Sequence, residues 1–285
     1  MSKEQVISLV YAGNDGVFDG MLISSLSVVK KTSCTLHVYI LTMDLTEINE
    51  KFTPIKEKHR LFLENVLRCY NDDNRVILID THDLYMKYLV NSPNAKSAYT
   101  PYAMIRLFLD RIDIIPPKVL YLDTDTVASG DILPLFETDT TGYEFAAVLD
   151  HYGKIFMGYH YINTGVLLLN LEQIRKTHLF DKSIKKLNKR RIFLPDQTVL
   201  NRKVKKKKLL ERKYNEQKRY DRDDTVIQHF SKTIIWHPFF PFFYTKNIKP
   251  WNVDMVKSEL THKFDSLLDE YLILKKQFDS EAKND

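Results

Sequence analysis

Short, nearly continuous apolar runs alternate along the first half of this chain with stretches of helical spacing. "VISLVYA" (6–12) reads as a strand buried on both faces, and "GNDG" (13–16) as the turn that ends it. Met21, Leu22, Leu26 and Val29 then recur at helical intervals. "TLHVYILTM" (35–43) predicts a second strand, residues 46–70 a helix with Pro54 near its start, and "RVILID" (75–80) a third strand. "TPYAMIRLFLDRI" (100–112) reads as a helix capped by Thr100, and "KVLYLDTD" (118–125) as a fourth strand.

Strands that alternate with helices predict an α/β fold, a mainly parallel sheet flanked by helices. Ligands in such folds bind beyond the carboxyl ends of the strands. Asp15 follows the first predicted strand, Asp80 stands at the end of the third, and Asp123 and Asp125 end the fourth, so one rim gathers polar groups. The second half is less regular. "EFAAVLD" (144–150), "YINTGVLLLNL" (161–171) and "TVIQHF" (225–230) predict strands, and "LPDQTVLNRKV" (194–204) a helix with Pro195 early. Residues 253–278 predict one amphipathic helix with Met255, Val256, Leu260, Phe264, Leu267, Leu268, Tyr271 and Leu274 on one side.

Composition narrows the class. At 44% hydrophobic and 28% charged residues the chain is globular, not disordered. Two cysteines, Cys34 and Cys69, make no disulfide framework, and no apolar run approaches the ~20 residues of a membrane helix. "VISLVYA" is too short for a signal peptide's apolar region and cleavage site, so the expected location is cytoplasmic. The net charge of +5 is uneven, with a basic cluster at 201–222 that includes Lys205–Lys208. Such a cluster raises nucleic-acid binding as one function class. No nucleic-acid motif accompanies it, and Glu211, Glu216, Asp221, Asp223 and Asp224 dilute it, so no nucleic acid is expected.

The sharpest chemical feature is Asp123-Thr124-Asp125 at the end of a buried strand. Residues i and i+2 of a strand share a face. Two adjacent carboxylates repel unless a cation lies between them, and oxygen ligands favour a hard ion such as Mg²⁺ or Mn²⁺. That ion commonly bridges carboxylates to a substrate's phosphates.

Together these segments resemble the retaining glycosyltransferases of family eight, which include bacterial lipopolysaccharide galactosyl- and glucosyltransferases and glycogenin. The matching segments run in the family's order from residue 6 to 251: "LVYAGNDGVF", "YTPYAMIRLFLDRI", "VLYLDTDTVASGDILPLF", "AAVLDHY" with "YINTGVLLLNL", "FLPDQTVLN", and a stretched "IQHFSKTIIWHPFFPFFYTKNIKPW". The resemblance implies a GT-A fold over residues 1–251 with a helical extension over 252–285. It implies transfer of a hexose from a UDP-sugar, UDP-glucose or UDP-galactose, to a glycan or glycoconjugate acceptor, with Mn²⁺ or Mg²⁺. Ala12 and Asn14 then lie at the base. Asp123, Asp125 and His229 become metal ligands, with His237 the other histidine in the closing segment. Arg106, Thr124, Asp150, Asn163, Thr164, Gly165, Asp196, Gln197 and Lys249 surround the nucleotide sugar, with Gln197, Asp196 and Arg106 as catalytic candidates. Departures from the family pattern include Asn14, Glu211 in a usual proline position, and a missing glycine before Lys249.

A neutral Gln197 amide is a poor nucleophile, which favours front-face attack over double displacement. A metal-dependent nucleotidyltransferase is the competing enzyme class, but "AGNDGVFDG" makes a poor phosphate loop. The aromatic segment 234–251 and Lys205–Lys208 together suggest peripheral contact with the inner membrane face.

Overall fold

The computed structural model describes residues 5–95, 101–236 and 243–281. Thr100, His237 and the aromatic stretch 237–242 lie outside them, as does the expected role of each. The strands are β1 (Val6–Ala12), β2 (Thr35–Thr42), β3 (Arg75–Asp80), β4 (Lys118–Leu122), β5 (Thr126–Ala128), β6 (Phe145–Leu149), β7 (Ile162–Asn170), β8 (Lys207–Leu209), β9 (Ile227–His229), β10 (Thr233–Trp236) and β11 (Phe243–Lys246). The helices are α1 (Phe18–Val29), α2 (Glu57–Arg68), α3 (His82–Tyr88), α4 (Leu133–Phe136), α5 (Gly153–Phe156), α6 (Leu171–Thr177), α7 (Leu179–Leu187), α8 (Pro195–Lys203), α9 (Val253–Glu259) and α10 (Asp265–Glu281).

Seven strands form the main sheet in the order β3-β2-β1-β4-β7-β6-β8. β7 alone pairs antiparallel, with β4 on one side and β6 on the other. The carboxyl ends of β1, β4 and β6 therefore meet the beginning of β7 at one rim. The alternating side chains of the strands feed two cores. Ile7, Leu9, Tyr11, Leu120 and Leu122 face α1, α2 and α10, while Val10, Val119 and Tyr121 face the 3₁₀ segment Pro101–Arg111 and α6–α8. Burial on both faces explains why these strands lack polar alternation.

Several expected elements change at their ends. The helix expected over 46–70 begins only at Glu57. Before it, Asp44 accepts from the backbone and hydroxyl of Thr46, and Asn49 accepts from the Lys51 N–H. Such local bonds compete with a helix. The fourth strand stops at Leu122, where Asp123–Thr126 turns and the Thr126 N–H and hydroxyl both bond the Asp123 carbonyl. Residues 253–278 form two helices, not one, because the chain bends at Leu260–Phe264 and inserts Phe264 into the core. Met255 is half exposed at 51%. α10 packs on α1, with the Phe18 and Phe278 ring centroids 5.2 Å apart and Lys275 bonded to Asp19 at 3.0 Å.

The basic run is partly structural. β8 is an edge strand parallel to β6, Lys207 Nζ bonds the Asn201 side chain and the His160 carbonyl, and Lys208 Nζ bonds the Asp139 carbonyl. Among the described residues no helix is long and apolar enough to cross a membrane.

Candidate functional site

β7 builds the centre of the rim. Regular continuation of the Ala147↔Leu167 pair would put Leu149 opposite Gly165, yet Leu149 lies opposite Ile162. Asn163, Thr164 and Gly165 are therefore extruded from the β6 ladder towards the site, while the Gly165 carbonyl still accepts from the Asp123 N–H at 2.7 Å. β5 pairs with β9 so that Thr126 lies opposite His229, and the Phe230 N–H donates to the Asp125 carbonyl. A contact separated by about a hundred residues thereby brings the histidine to the two aspartates.

Asp123, Asp125 and His229 each offer one ligand atom, and these atoms lie within 4.8 Å of one another. His229 Nε2 is 3.2 Å from Asp125 Oδ1 and 3.9 Å from Asp123 Oδ2. Lys249 Nζ donates to Asp125 Oδ2 and, at 3.1 Å, to the Phe230 carbonyl. Burial pushes the Asp125 carboxyl up, but His229 and Lys249 outweigh it and hold Asp125 well below the usual carboxylate range. Burial likewise pushes the His229 imidazole down, and Asp125 with Asp123 more than reverses this. Two carboxylate oxygens and one imidazole nitrogen suit a divalent cation such as Mn²⁺ or Mg²⁺.

A chain of hydrogen bonds sets the imidazole's tautomer. The Gly165 N–H can only donate, so at 2.9 Å it fixes Asn163 Oδ1 as an acceptor. Asn215 must then turn Nδ2 to that oxygen, at 3.0 Å, and its Oδ1 to His229 Nδ1, at 3.1 Å. Nδ1 therefore carries a proton, and Nε2, which faces the aspartates, is the nitrogen a metal would take in exchange for its own proton.

Arg106, from the 3₁₀ segment, is fully enclosed. Its guanidinium donates to the Ala103 and Thr164 carbonyls at 2.9 and 2.7 Å and to Asp123 Oδ1 at 2.9 Å, and it lies 3.6 Å from Asp196 Oδ2. It also stacks 4.1 Å from the centre of the Tyr121 ring. Burial alone would lower its pKa, but Tyr121, Asp123 and Asp196 hold it above the ordinary value. Asp196 is itself pushed up, by burial more than Arg106 pulls it down.

Gln197 and Asp150 close the other side. Gln197 Oε1 accepts from the Thr164 N–H at 3.2 Å, and its Nε2 donates to Asp150 Oδ2 at 3.1 Å. Asp150 Oδ2 also accepts from Asn163, and its Oδ1 from the Tyr152 and Gly153 N–H groups. Leu194, immediately before Pro195, adopts a left-handed backbone (φ 50°), and α8 starts from this bend carrying Asp196 and Gln197.

The structure thus joins Arg106, Asp123, Asp125, Asp150, Asn163, Thr164, Gly165, Asp196, Gln197, His229 and Lys249 in one network. Ala12 and Asn14 stand apart at the end of β1, with Asn14 Nδ2 bonded to the Lys51 carbonyl. Thr124 sits in the turn, its carbonyl against Gly20. At Gly165 a Cβ would lie 2.2 Å from His229 Cε1, so the glycine leaves room for the imidazole. Sequence reading missed Tyr121 and Asn215. The available signal for Asn215 was its place at the end of "LLERKYN" (209–215), which resembles a Leu-Pro-x-x-Tyr-Asn segment of the family.

Solved structures that this chain resembles include glycosyltransferases. LgtC, crystallised as an active-site glutamine-to-glutamate mutant, superposes with TM-score 0.65 at 19% identity over 95% of this chain and 96% of its own. The galactosyltransferase LgtC bound to donor and acceptor sugar analogues gives 0.62, and GlyE of Streptococcus pneumoniae TIGR4 gives 0.60 at 22% identity over 97% of this chain and 64% of its own. The fold is GT-A. The sequence model described as glycosyl transferase family 8 matches residues 8–254, and the chain belongs to that family. GlyE is 28% identical over 86% of this chain, and the lipopolysaccharide glucosyltransferase WaaO of Escherichia coli K12 is 29% identical over 47% of it. The matched regions span 57% of GlyE and 50% of WaaO, so the chain covers little more than half the length of these curated relatives.

Proposed function

We propose that the chain transfers a hexose, with retention of configuration, from UDP-glucose or UDP-galactose to a hydroxyl of a glycan or glycoconjugate. The observation that carries this reading is the convergence of Asp123, Asp125 and His229 at the rim where β1, β4, β6 and β7 meet. WaaO and LgtC, named as a glucosyl- and a galactosyltransferase, favour a hexose. In this reading residues 1–251 are the catalytic domain and 252–285 its helical extension.

Ala12 and Asn14 receive the base. Asp123, Asp125 and His229 hold Mn²⁺ or Mg²⁺, and Thr124 lines the diphosphate beside them. A bound divalent cation would offset the charge that grows on the diphosphate as the sugar departs. Lys249 and Arg106 supply fixed positive charge on either side. Asp150, Asn163, Thr164, Gly165 and Asp196 enclose the sugar, with Asp196 at a donor hydroxyl. Gln197 lies beside the anomeric carbon, its amide oxygen engaged by Thr164. That engagement and the neutrality of an amide favour front-face attack, the acceptor's proton passing to the departing diphosphate oxygen.

The test is product analysis with UDP-glucose, UDP-galactose and UDP-N-acetylglucosamine, with Mn²⁺ and with excess EDTA. Metal-dependent release of UDP supports the reading. Release of pyrophosphate from a nucleoside triphosphate would make the chain a nucleotidyltransferase instead.

In the same reading the enzyme works in the cytoplasm, in peripheral contact with the inner membrane face. Ile155, Met157 and Tyr159, exposed at 66%, 39% and 74%, support this. Sedimentation with anionic vesicles at low and high salt tests it, and no binding at low salt refutes it.

A further inference from the structure

A cleft of about 380 Å³ opens at the outer edge of the sheet, between the end of β6 and residues 210–222. Its lining carries His151, Lys154, Arg212, Lys218, Arg219 and Arg222 against a single carboxylate, Glu216. That carboxylate is committed. Glu216 Oε1 accepts from the Lys218 and Arg219 N–H groups at 3.0 and 3.2 Å, and Oε2 pairs with Arg212 and, at 3.6 Å, with Arg222. Arg212 also pairs with Asp224. Among the described residues Lys154, Lys218 and Arg219 have no carboxylate within salt-bridge reach. The His151 imidazole registers this surplus: partial burial first, then Lys218 and Lys154, push it below its ordinary value. Like charges gathered in a concavity focus a positive potential into it.

The cleft adjoins the transfer centre. Asn215 lines it and also orients His229 and Asn163. Gln217 lines it too, accepting from the His151 N–H at 2.9 Å and donating to the Leu149 carbonyl at 3.0 Å, one residue either side of Asp150. Along the rim, β1 carries the expected base site, β4 the two aspartates, β7 and β6 the expected sugar contacts, and the cleft follows at the far end. An acceptor enters from that end if the nucleotide occupies the first.

We propose that this cleft binds a phosphate ester on the acceptor, so that the enzyme glycosylates a phosphate-bearing glycan. The proposal rests on the donor placement given above. Lys154, Lys218 and Arg219 hold the phosphate, and the amides of Asn215 and Gln217 separate it from the metal ligands.

Calorimetric titration of the full chain, loaded with UDP and Mn²⁺, with glucose 6-phosphate and separately with glucose tests this. The phosphorylated sugar is expected to bind at least about tenfold more tightly than glucose, and more weakly as salt rises. The double variant Lys218→Gln, Arg219→Gln should lose about tenfold in affinity for glucose 6-phosphate while binding UDP and Mn²⁺ as the wild type does. Equal binding of the two sugars, or an unaffected double variant, overturns the proposal. Failure of wild type to bind UDP with Mn²⁺ in a separate titration overturns the donor reading instead. Phosphatidylglycerol vesicles distinguish a lipid phosphate: vesicle binding lost in the double variant, yet not competed by glucose 6-phosphate, would assign the cleft to a headgroup and overturn the acceptor role.

Discussion

Replacing Gly165 by alanine would place a methyl carbon 2.2 Å from His229 Cε1, 2.7 Å from Nδ1 and 2.9 Å from Nε2. Ordinary contact begins near 3.4 Å, so something must move by more than an ångström. The imidazole cannot yield freely. Asn215 holds one nitrogen, Asp125 faces the other, and β9 is tied to β5 at the same residue. Nor can Gly165 recede easily, because its carbonyl bonds the Asp123 N–H at 2.7 Å. If the fold absorbs the clash, overpacking costs about 1–3 kcal/mol. For a chain of this size that lowers Tm by about 2–10 °C. If the ring rotates instead, Nε2 leaves the aspartates and Mn²⁺ affinity falls about 10–100-fold, as for loss of an orienting partner. Thermal unfolding and Mn²⁺ titration by electron paramagnetic resonance separate the two. Adding His229→Ala to Gly165→Ala should recover Tm without recovering Mn²⁺ affinity, because the clash goes and the ligand with it. A Gly165→Ala protein with wild-type Tm and wild-type Mn²⁺ affinity would refute the argument.

Asp123→Ala and Asp125→Ala are each expected to abolish transfer while the chain stays folded; near-normal turnover by either in excess EDTA would end the metal assignment. His229→Ala should weaken Mn²⁺ binding and His237→Ala leave it unchanged, and the reverse ranking would mean that the stretched closing segment has been misread. Asn215→Ala removes the acceptor for His229 Nδ1, so Mn²⁺ affinity should drop about 10–100-fold with little change in Tm; an unchanged affinity would break the tautomer argument. Gln197→Ala should lose most transfer and keep UDP affinity by calorimetry, whereas an equal loss of UDP affinity would move Gln197 to the nucleotide.

The sequence was most informative where one physical requirement dominates. β1, β2, β6 and β7 appear within a residue or so of their expected limits, because burial on both faces demands continuous apolar runs. Asp123 and Asp125 were visible for the opposite reason, as charge at the end of such a run. The ends of helices were less visible. Asn49 and Asp44 bond their own neighbours before Glu57, and the bend at Leu260–Phe264 follows from docking Phe264 into a core assembled elsewhere. Residues 172–187, for which the pattern carries no expectation, fall in two helices, α6 and α7.

Patterning along the chain thus determined the α/β class, the buried strands and the residue types available at the rim. Tertiary structure decided which of those residues meet. The three-residue extrusion in β7, the pairing of β5 with β9, and the line from the Gly165 N–H through Asn163 and Asn215 to His229 all join segments far apart in sequence. Periodicity reports which face of an element is buried, and it carries no information about which distant backbone group lies opposite. That is why only the folded chain shows that Gly165 leaves room for the imidazole of His229.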